Sequence, residues 1–335
     1  MKNAINGLSI SPIFIPEPME LSVVIPVYNE EENIEPLMRE IHGVLGPLGK
    51  TYEIITVDDG SKDGTFTALR KIRCMLPIVK AVRLKRNFGQ TAALAAGLAY
   101  ADGEIIVLMD GDGQNDPADI PVMINVLEEG NDLVAGWRYN RKDPFFRRRL
   151  PSMLANYLIS WATSVKLHDY GCTLKAMRKP VAKNLRLYGE MHRFIPAIAY
   201  ERGARIAEVK VNHRPRIRGE SKYGISRTLR VVLDLLTVKF LSSYSTRPAH
   251  VFGPLGVISG LIGFALAVYL TVQKLVYRLE IGNRPLLLLA ILLIFIGFQF
   301  VTMGLLGEML ARTYHESQDR PVYVVGEVLQ SGGKA

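Results

Sequence analysis

Two carboxylates that stand two residues apart, at the end of an apolar run, are the clearest candidate for chemistry in the sequence. Asp110 and Asp112 follow residues 105–109 (IIVLM), a run typical of a buried strand. Carboxylates at this spacing can share one hard divalent cation, Mg2+ or Mn2+, which also takes substrate phosphate oxygens as ligands. Such a cation would neutralise charge that develops on a diphosphate leaving group. A turn with two solvated aspartates fits the same spacing, so this motif alone does not decide.

A second acidic cluster, residues 58–64 (DDGSKDG), superficially resembles a calcium-binding loop that begins at Asp59. The last ligand position of such a loop would be Arg70, where calcium loops need a glutamate, so we reject calcium binding. At a strand end that faces Asp110, these acids are better suited to the ribose hydroxyls and the base edge of a nucleotide.

The sequence has none of the usual glycine-rich phosphate-binding motifs: neither GxxxxGKS/T nor a GxGxxG that opens a helix occurs. A diphosphate must therefore be held by metal and by cationic side chains. The chain has a formal net charge of +9 and a dense basic run between 138 and 149. A solvated basic face explains such a run equally well. No RNA-binding or helix-turn-helix signature accompanies it, so lipid headgroups and phosphorylated substrates are favoured and no nucleic acid partner is expected.

Alternating strands and helices must position these clusters. The sequence predicts strands at 21–27, 52–57, 79–84 and 104–109, and helices at 31–45 and 91–101. This order indicates parallel βαβ units in an α/β sheet. Because ligands bind at the carboxyl ends of such strands, the clusters at 28–30, 58–59 and 110–112 should form one site.

The C-terminal third has a different composition. Segments 251–273 and 285–307 contain no charged residue and reach the roughly 20 residues that span a bilayer, so we predict a C-terminal two-helix transmembrane hairpin. A buried hairpin in the protein core is the alternative. Segment 225–242 mixes charges with a Leu- and Val-rich face, typical either of a helix on the membrane surface or of an ordinary core-facing helix.

The expected location is the inner (cytoplasmic) membrane, with more than one span and the catalytic domain in the cytosol. Residues 1–20 lack the basic and apolar segments of a signal peptide, which favours a cytosolic catalytic domain. The 274–284 connector is itself basic, so the positive-inside rule hardly discriminates between the two orientations of the hairpin. The predicted organisation is a flexible extension (1–20), a catalytic domain (21–224), a juxtamembrane amphipathic helix region (225–247), two transmembrane helices (248–310) and a cytosolic tail (311–335).

Several motifs occur together in an order and spacing that resemble one family. They are IPVYNE (25–30), VDDGS (57–61), RNFGQ (86–90), DGDGQ (110–114), DYGC (169–172), FIP (194–196), GESKY (219–223) and MGLLGE (303–308). With these motifs the chain resembles the inverting GT-A glycosyltransferases of the dolichol-phosphate mannose synthase type. It is most similar to their bacterial two-helix branch, which includes the undecaprenyl-phosphate 4-deoxy-4-formamido-arabinose transferases.

The resemblance implies a Rossmann-like GT-A fold and metal-dependent transfer of a sugar from a UDP- or GDP-linked donor to polyprenyl phosphate. It implies that the nucleoside is held by Pro26, Tyr28, Glu30, Val57 and Asp59, and the metal and diphosphate by Asp110, Asp112 and Gln114. It places around the donor and acceptor phosphates Arg138, Arg148, Ser152, Arg216 and Lys222, with Asp169 near the transferred sugar. The expected catalytic residues are Asp110, Asp112, Asp169 and Arg138, and self-association is left open.

Two departures from the family pattern bear on the chemistry. The common DADLQ is here DGDGQ, which we expect to loosen the loop. Some relatives carry an acidic residue, a candidate base, just after the position of Cys172, and this chain has Thr173 there. A protein base at that position is therefore in doubt.

Two other functions remain as alternatives. A processive polysaccharide synthase shares the early motifs, but neither Trp137 nor Trp161 lies in a QxxRW context, and two spans are few for a polymer channel. The other alternative is a membrane protein that only binds nucleotide or lipid. The chain retains the acidic and cationic positions of the family, which argues against this alternative. The sequence leaves the sugar, the nucleotide and the polyprenyl length open.

Overall fold

The computed structural model describes residues 18–139, 165–189, 191–215 and 321–330, together with single helical positions at 160, 295, 298, 299, 302, 306, 307, 309, 310 and 313. Its strands are β1 Leu21–Val27, β2 Tyr52–Asp58, β3 Val79–Leu84, β4 Ile105–Leu108, β5 Leu133–Arg138, β6 Lys175–Arg178, β7 Ile206–Val211 and β8 Val325–Leu329. Its helices are α1 Glu31–Leu45, α2 Thr65–Met75, α3 Gln90–Tyr100, α4 Ile120–Glu128, α5 Lys179–Asn184 and α6 Ile195–Glu201.

The strands form one mixed sheet in the order β7-β5-β6-β4-β1-β2-β3-β8. Its centre, β4-β1-β2-β3, is parallel, as the alternation of strands and helices predicted. Strand β6 runs antiparallel to both β4 and β5, and β7 returns parallel to β5. The α/β prediction is therefore confirmed, with an antiparallel strand beside β4 that the sequence did not predict.

Two apolar cores lie on the two faces of the sheet. Helices α1, α2 and α4 cover one face, and α3, α5 and α6 cover the other. Strand β1 is buried on both faces, which explains its nearly continuous β-branched sequence. Helix α3 lies very close to the sheet, because a Cβ at Gly97 would come within 2.2 Å of Val24 Cγ1. The N-terminal end of α3 lies at the carboxyl end of β4, where Gln90 donates to Asp110.

The last described segment lies within the tail predicted at 311–335. Strand β8 pairs antiparallel with β3 at the edge of the sheet. Arg70 Nη2 donates to both carboxylate oxygens of Glu327, at 2.6 and 2.8 Å, and the Lys85 N–H donates to the Val324 carbonyl at 3.0 Å. Part of this tail therefore belongs to the sheet of the catalytic domain.

Most of the predicted transmembrane hairpin lies outside the described residues. Segment 251–273 lies outside the described residues, and 285–307 is described only at isolated positions. Within the described residues no helix combines the length and apolar character needed to cross a membrane. Residues 1–17 of the predicted extension (1–20) and the whole region 225–247 also lie outside the described residues.

Candidate active site

The predicted cluster after β1 is joined to the loop after β2. Asn29 adopts the left-handed conformation (φ 55°), which Asn tolerates better than most residues. Its N–H donates to Ser61 Oγ at 2.9 Å, and its Oδ1 accepts from the Lys62 N–H at 2.9 Å. The Glu30 N–H donates to Thr65 Oγ1 at 2.9 Å, and the Glu30 carboxylate accepts from Asn33 Nδ2 at 2.6 Å. These contacts fix two of the three predicted strand-end clusters against each other.

Asp59 connects the second cluster to the loop before α3. Its two carboxylate oxygens accept the Phe88 N–H at 2.7 Å and the Gly89 N–H at 2.9 Å. Burial raises the pKa of Asp59, and the two backbone hydrogen bonds oppose that shift. Gly60 allows the loops to meet, since a Cβ there would lie 2.4 Å from the Arg86 carbonyl carbon and φ is +68°. Asp59 therefore holds the loop after β2 against the loop before α3 through its contacts with the backbone.

The other predicted nucleoside residues occupy two environments. Pro26, Tyr28 and Glu30 are partly exposed at the carboxyl end of β1, where a ligand can reach them. Val57 is fully buried, and its side chain packs under α3 near Gly97. A contact from Val57 to a nucleoside would have to use its backbone, and the nucleoside role of these residues stays a prediction.

The DGDGQ segment forms a tied loop at the end of β4, contrary to the expectation of a looser one. The Asp110 N–H donates to Asn115 Oδ1 at 3.2 Å, and the Gln114 N–H donates to Asp112 Oδ1 at 3.1 Å. A Cβ at Gly111 would lie 2.5 Å from Val27 Cγ1. Glycine at 111 therefore allows β1 and this loop to pack closely.

The Asp110 carboxylate is held from two sides. Gln90 Nε2 donates to its Oδ1 at 2.7 Å, and Thr173 Oγ1 donates to its Oδ2 at 2.6 Å. Burial, and secondarily the charge of Asp112, raise the pKa of Asp110 to about 6. A divalent cation bound by Asp110 and Asp112 would stabilise their ionised carboxylates. The two residues therefore fit the predicted metal. Within the described residues no three Asp, Glu, His or Cys side chains gather to hold a metal, so further ligands would come from substrate and water.

Arg138 and Asp169 form a buried ion pair next to this loop. Arg138 Nε and one Nη donate to the two Asp169 oxygens at 2.6 and 2.9 Å, and the two side chains are only 14% and 6% exposed. Burial opposes the charge on Arg138, but the hydrogen bonds and charge of Asp169 outweigh it and raise the Arg138 pKa. Gly171 also packs here, because a Cβ would meet Arg138 Nη2 at 3.0 Å. The structure therefore brings two predicted catalytic residues into direct contact.

Four further residues contact or surround this site, and the sequence analysis gave none of them a role there. Gln90 belongs to the RNFGQ motif, so the sequence could have indicated it as a site residue. Lys175 and Glu208 belong to no motif that could have done so. Lys175 is 2% exposed, its Nζ donates to the Cys172 carbonyl, and burial lowers its pKa. Glu208 Oε1 accepts the His168 and Asp169 N–H groups at 2.9 and 3.1 Å. Thr173 was noted only as the residue that stands where some relatives carry an acid.

The predicted acceptor-phosphate residues Arg148, Ser152, Arg216 and Lys222 lie outside the described residues. The chain that leads to Arg216 is nevertheless fixed at the site. The Arg214 N–H donates to the Gln114 carbonyl at 2.9 Å, and its guanidinium binds Glu40 at 2.7 Å and Asp116 at 2.8 Å. Residue 216 therefore follows directly after a segment that is held against the DGDGQ loop.

Comparison with known proteins identifies the class to which this fold and site belong. The model of the family Glycosyl transferase family 2 matches residues 22–186. The chain belongs to this family and is a glycosyltransferase.

Two relatives match nearly the whole chain. It is 46% identical over 321 residues to a dodecaprenyl-phosphate galacturonate synthase of Rhizobium johnstonii, which covers 95% of both chains. It is 38% identical over 314 residues to an undecaprenyl-phosphate 4-deoxy-4-formamido-L-arabinose transferase of Edwardsiella ictaluri, which covers 93% of this chain and 94% of the relative. The predicted similarity to polyprenyl-phosphate glycosyltransferases is confirmed.

Solved structures support the fold. Glucosyl-3-phosphoglycerate synthase of Mycobacterium tuberculosis, crystallised with Mn2+ and UDP-glucose, matches with a TM-score of 0.53 and 22% identity. The match covers 66% of this chain and 79% of that one. The predicted Rossmann-like GT-A fold is therefore confirmed for the catalytic part of the chain.

Proposed function

We propose that this glycosyltransferase moves a sugar from a nucleoside diphosphate donor to the phosphate of a polyprenyl lipid. The observation that carries the proposal is the meeting of the Asp110–Asp112 loop with the buried Arg138–Asp169 pair at one edge of the sheet. This arrangement combines acidic ligands for a metal with a fixed cation, as a reaction between two phosphorylated molecules requires. The names of the relatives at 46% and 38% identity both contain a polyprenyl phosphate, which supports this acceptor.

The roles of the residues follow from their geometry. Asp110, Asp112 and Gln114 would hold a divalent cation, which when bound supplies charge neutralisation of the diphosphate leaving group. Mn2+ is the first ion to test, since the glucosyl-3-phosphoglycerate synthase structure contains it, and Mg2+ is the second. Asp169 fixes the Arg138 guanidinium, so that this positive charge needs no rearrangement when the donor binds.

The acceptor should attack without a strong protein base. A phosphate monoester has a second pKa near ~6, so it is largely dianionic at neutral pH. The Thr173 hydroxyl, at the position where some relatives carry an acid, donates its proton to Asp110 and cannot serve as that base. We therefore propose a single displacement at the anomeric carbon, with inversion and without a covalent sugar–enzyme intermediate.

The membrane arrangement is part of the proposal. The two uncharged segments 251–273 and 285–307 would form a transmembrane hairpin in the inner (cytoplasmic) membrane, with the catalytic domain in the cytosol. The extension, juxtamembrane region and tail would flank it with the boundaries predicted above. The lipid phosphate would then meet Arg148, Ser152, Arg216 and Lys222 near the membrane surface.

The sugar can be proposed from the ranking of the relatives. The higher identity to the galacturonate synthase favours galacturonate, and formamido-arabinose is the second candidate. UDP is the first nucleotide to test and GDP the second.

The test is a panel of nucleotide-sugars offered to the full-length protein with undecaprenyl and dodecaprenyl phosphate. The matched control acceptor is the corresponding polyprenol, which lacks the phosphate. We expect product only with the phosphates, only with a divalent cation, and with inverted anomeric configuration by NMR. Transfer to the polyprenol, or a polymer that grows processively, would overturn the acceptor assignment. Retained configuration or a trapped glycosyl-enzyme would overturn the mechanism.

A further inference from the structure

The segment 169–173 connects the two halves of the site. At one end Asp169 binds the Arg138 guanidinium, and at the other end Thr173 Oγ1 donates to Asp110 Oδ2 at 2.6 Å. Between them the Gly171 N–H donates to Asp169 Oδ1 at 3.1 Å, and Cys172 is 1% exposed. The position of the Thr173 hydroxyl is therefore set by a buried, hydrogen-bonded segment.

We propose that Thr173 is a positioning residue, which orients the Asp110 carboxylate toward the metal–diphosphate of the donor. The inference deepens the proposed function and rests on its metal assignment. Gln90, at the start of α3, donates to Asp110 Oδ1 at 2.7 Å, while Thr173 donates to Oδ2. One hydrogen bond on each oxygen fixes the carboxylate plane and leaves each oxygen a lone pair for a cation.

The direction of the Thr173 hydrogen bond follows from the distances. The hydroxyl has a single proton and two acceptors within range: Asp110 Oδ2 at 2.6 Å and Asn115 Oδ1 at 3.4 Å. The shorter contact is also to the carboxylate, and hydrogen bonds to ionised acceptors are the stronger class. Asn115 Oδ1 in addition accepts the Asp110 N–H. The Thr173 hydroxyl therefore donates its hydrogen bond to Asp110.

The choice of threonine is consistent with this role. A β-branched side chain has few accessible χ1 rotamers, so its hydroxyl stays aimed at one target. Residues that orient metal ligands in this way typically change metal affinity by about 10–100-fold when they are replaced. An acid at this position would instead add a further negative charge beside Asp110 and Asp112. In this chain the position thus serves the metal ligand, and the proposed reaction needs no base there.

The experiment compares Thr173→Val, which keeps the shape but loses the donor, with Thr173→Ser, which keeps the donor. Mn2+ binding to the full-length protein is measured by EPR of the free ion, with and without UDP and without any lipid acceptor. We expect Thr173→Val to weaken Mn2+ binding by about 10–100-fold. We expect Thr173→Ser to stay near wild type, and saturating Mn2+ to restore most of the turnover of Thr173→Val.

Several results would overturn the proposal. Equal Mn2+ affinity in wild type and Thr173→Val, or equal losses in the Val and Ser variants, would show that the hydroxyl does not orient a metal ligand. Absence of Mn2+ binding by wild type would overturn it together with the metal assignment. If Thr173→Val does not fold, Gln90→Leu removes the opposite donor and should weaken Mn2+ by a similar factor. Because the Mn2+ binding measurement contains no acceptor, a wrong polyprenyl phosphate assignment would leave the measured Mn2+ affinities unchanged.

Discussion

Replacing Asp169 with Asn tests whether the buried ion pair holds the site together. The substitution keeps the size of the side chain, removes its charge and leaves Arg138 charged in a location where it is 14% exposed. Breaking a buried pair from one side typically costs about 3–5 kcal/mol. Asn retains one oxygen that can accept from the guanidinium, so we expect the low end, about 3 kcal/mol. For a domain of this size that corresponds to a fall in Tm of roughly 6–12 °C.

The matched control is Glu35→Gln, which makes the same acid-to-amide change in an exposed pair. Glu35 and Arg39 are 2.8 Å apart, but their side chains are 56% and 60% exposed. Exposed pairs contribute only about 0–1 kcal/mol, so Tm should change by a few degrees at most. The two variants differ in burial and not in chemistry, so their difference isolates the effect of the buried environment.

The assay is thermal unfolding in detergent, followed by tryptophan fluorescence. Trp137 precedes Arg138 and stacks on His168 at 4.1 Å, so it reports on this edge of the sheet. Adding Arg138→Met to Asp169→Asn removes the unpaired buried charge and should recover part of the lost stability. The reasoning would be refuted by equal Tm shifts for Asp169→Asn and Glu35→Gln. In turnover, Asp169→Asn should lower the rate without removing a whole limb of the pH profile.

Three further outcomes are expected. Asp112→Asn should slow turnover by about two to four orders of magnitude, because the diphosphate loses metal-borne stabilisation, and full activity in EDTA would contradict this. Burial raises the pKa of Cys172 to about 11, so its thiol stays neutral below that pH and should resist thiol reagents that label exposed Cys74; labelling of Cys172 in the native protein, mapped by mass spectrometry, would contradict its burial. A cysteine placed at Asn283 should react with an impermeant reagent in intact cells and one at Lys62 only after lysis, and the opposite pattern would invert the topology.

Local patterns predicted the parallel half of the sheet well. Strands β1 and β3 and helix α1 have the predicted bounds, because each shows a clear apolar run or helical spacing. The convergence of Asp59 and Asp110 also followed from a general rule, since parallel strands present their carboxyl ends at one edge. These strands and this helix could be predicted because their conformations depend mainly on residues that are close in sequence.

None of the strands β5 to β8 was predicted, and β6 and β8 show the reason most clearly. Strand β6 is four residues long and begins with Lys175, which is buried although its type predicts exposure. Strand β8 is interrupted by Gly326 and Glu327, and its partner β3 lies far away along the chain. The contact of Thr173 with Asp110 likewise joins residues 63 positions apart. Such pairings depend on the assembled sheet, so a single sequence gives no periodic signal for them.

The position of β8 also connects distant parts of the chain to the loop before α3. The segment 321–330 follows the predicted spans in sequence and lies beside β3, whose end continues into the loop at 85–89. That loop is held at one end by the Lys85 N–H on the Val324 carbonyl, and at the other by Asp59, which accepts from Phe88 and Gly89. Gln90 follows directly and donates to Asp110. The contacts that join β8 to the start of α3 and to the Asp110 carboxylate therefore all fall within residues 85–90, because each is made by a residue of this short stretch.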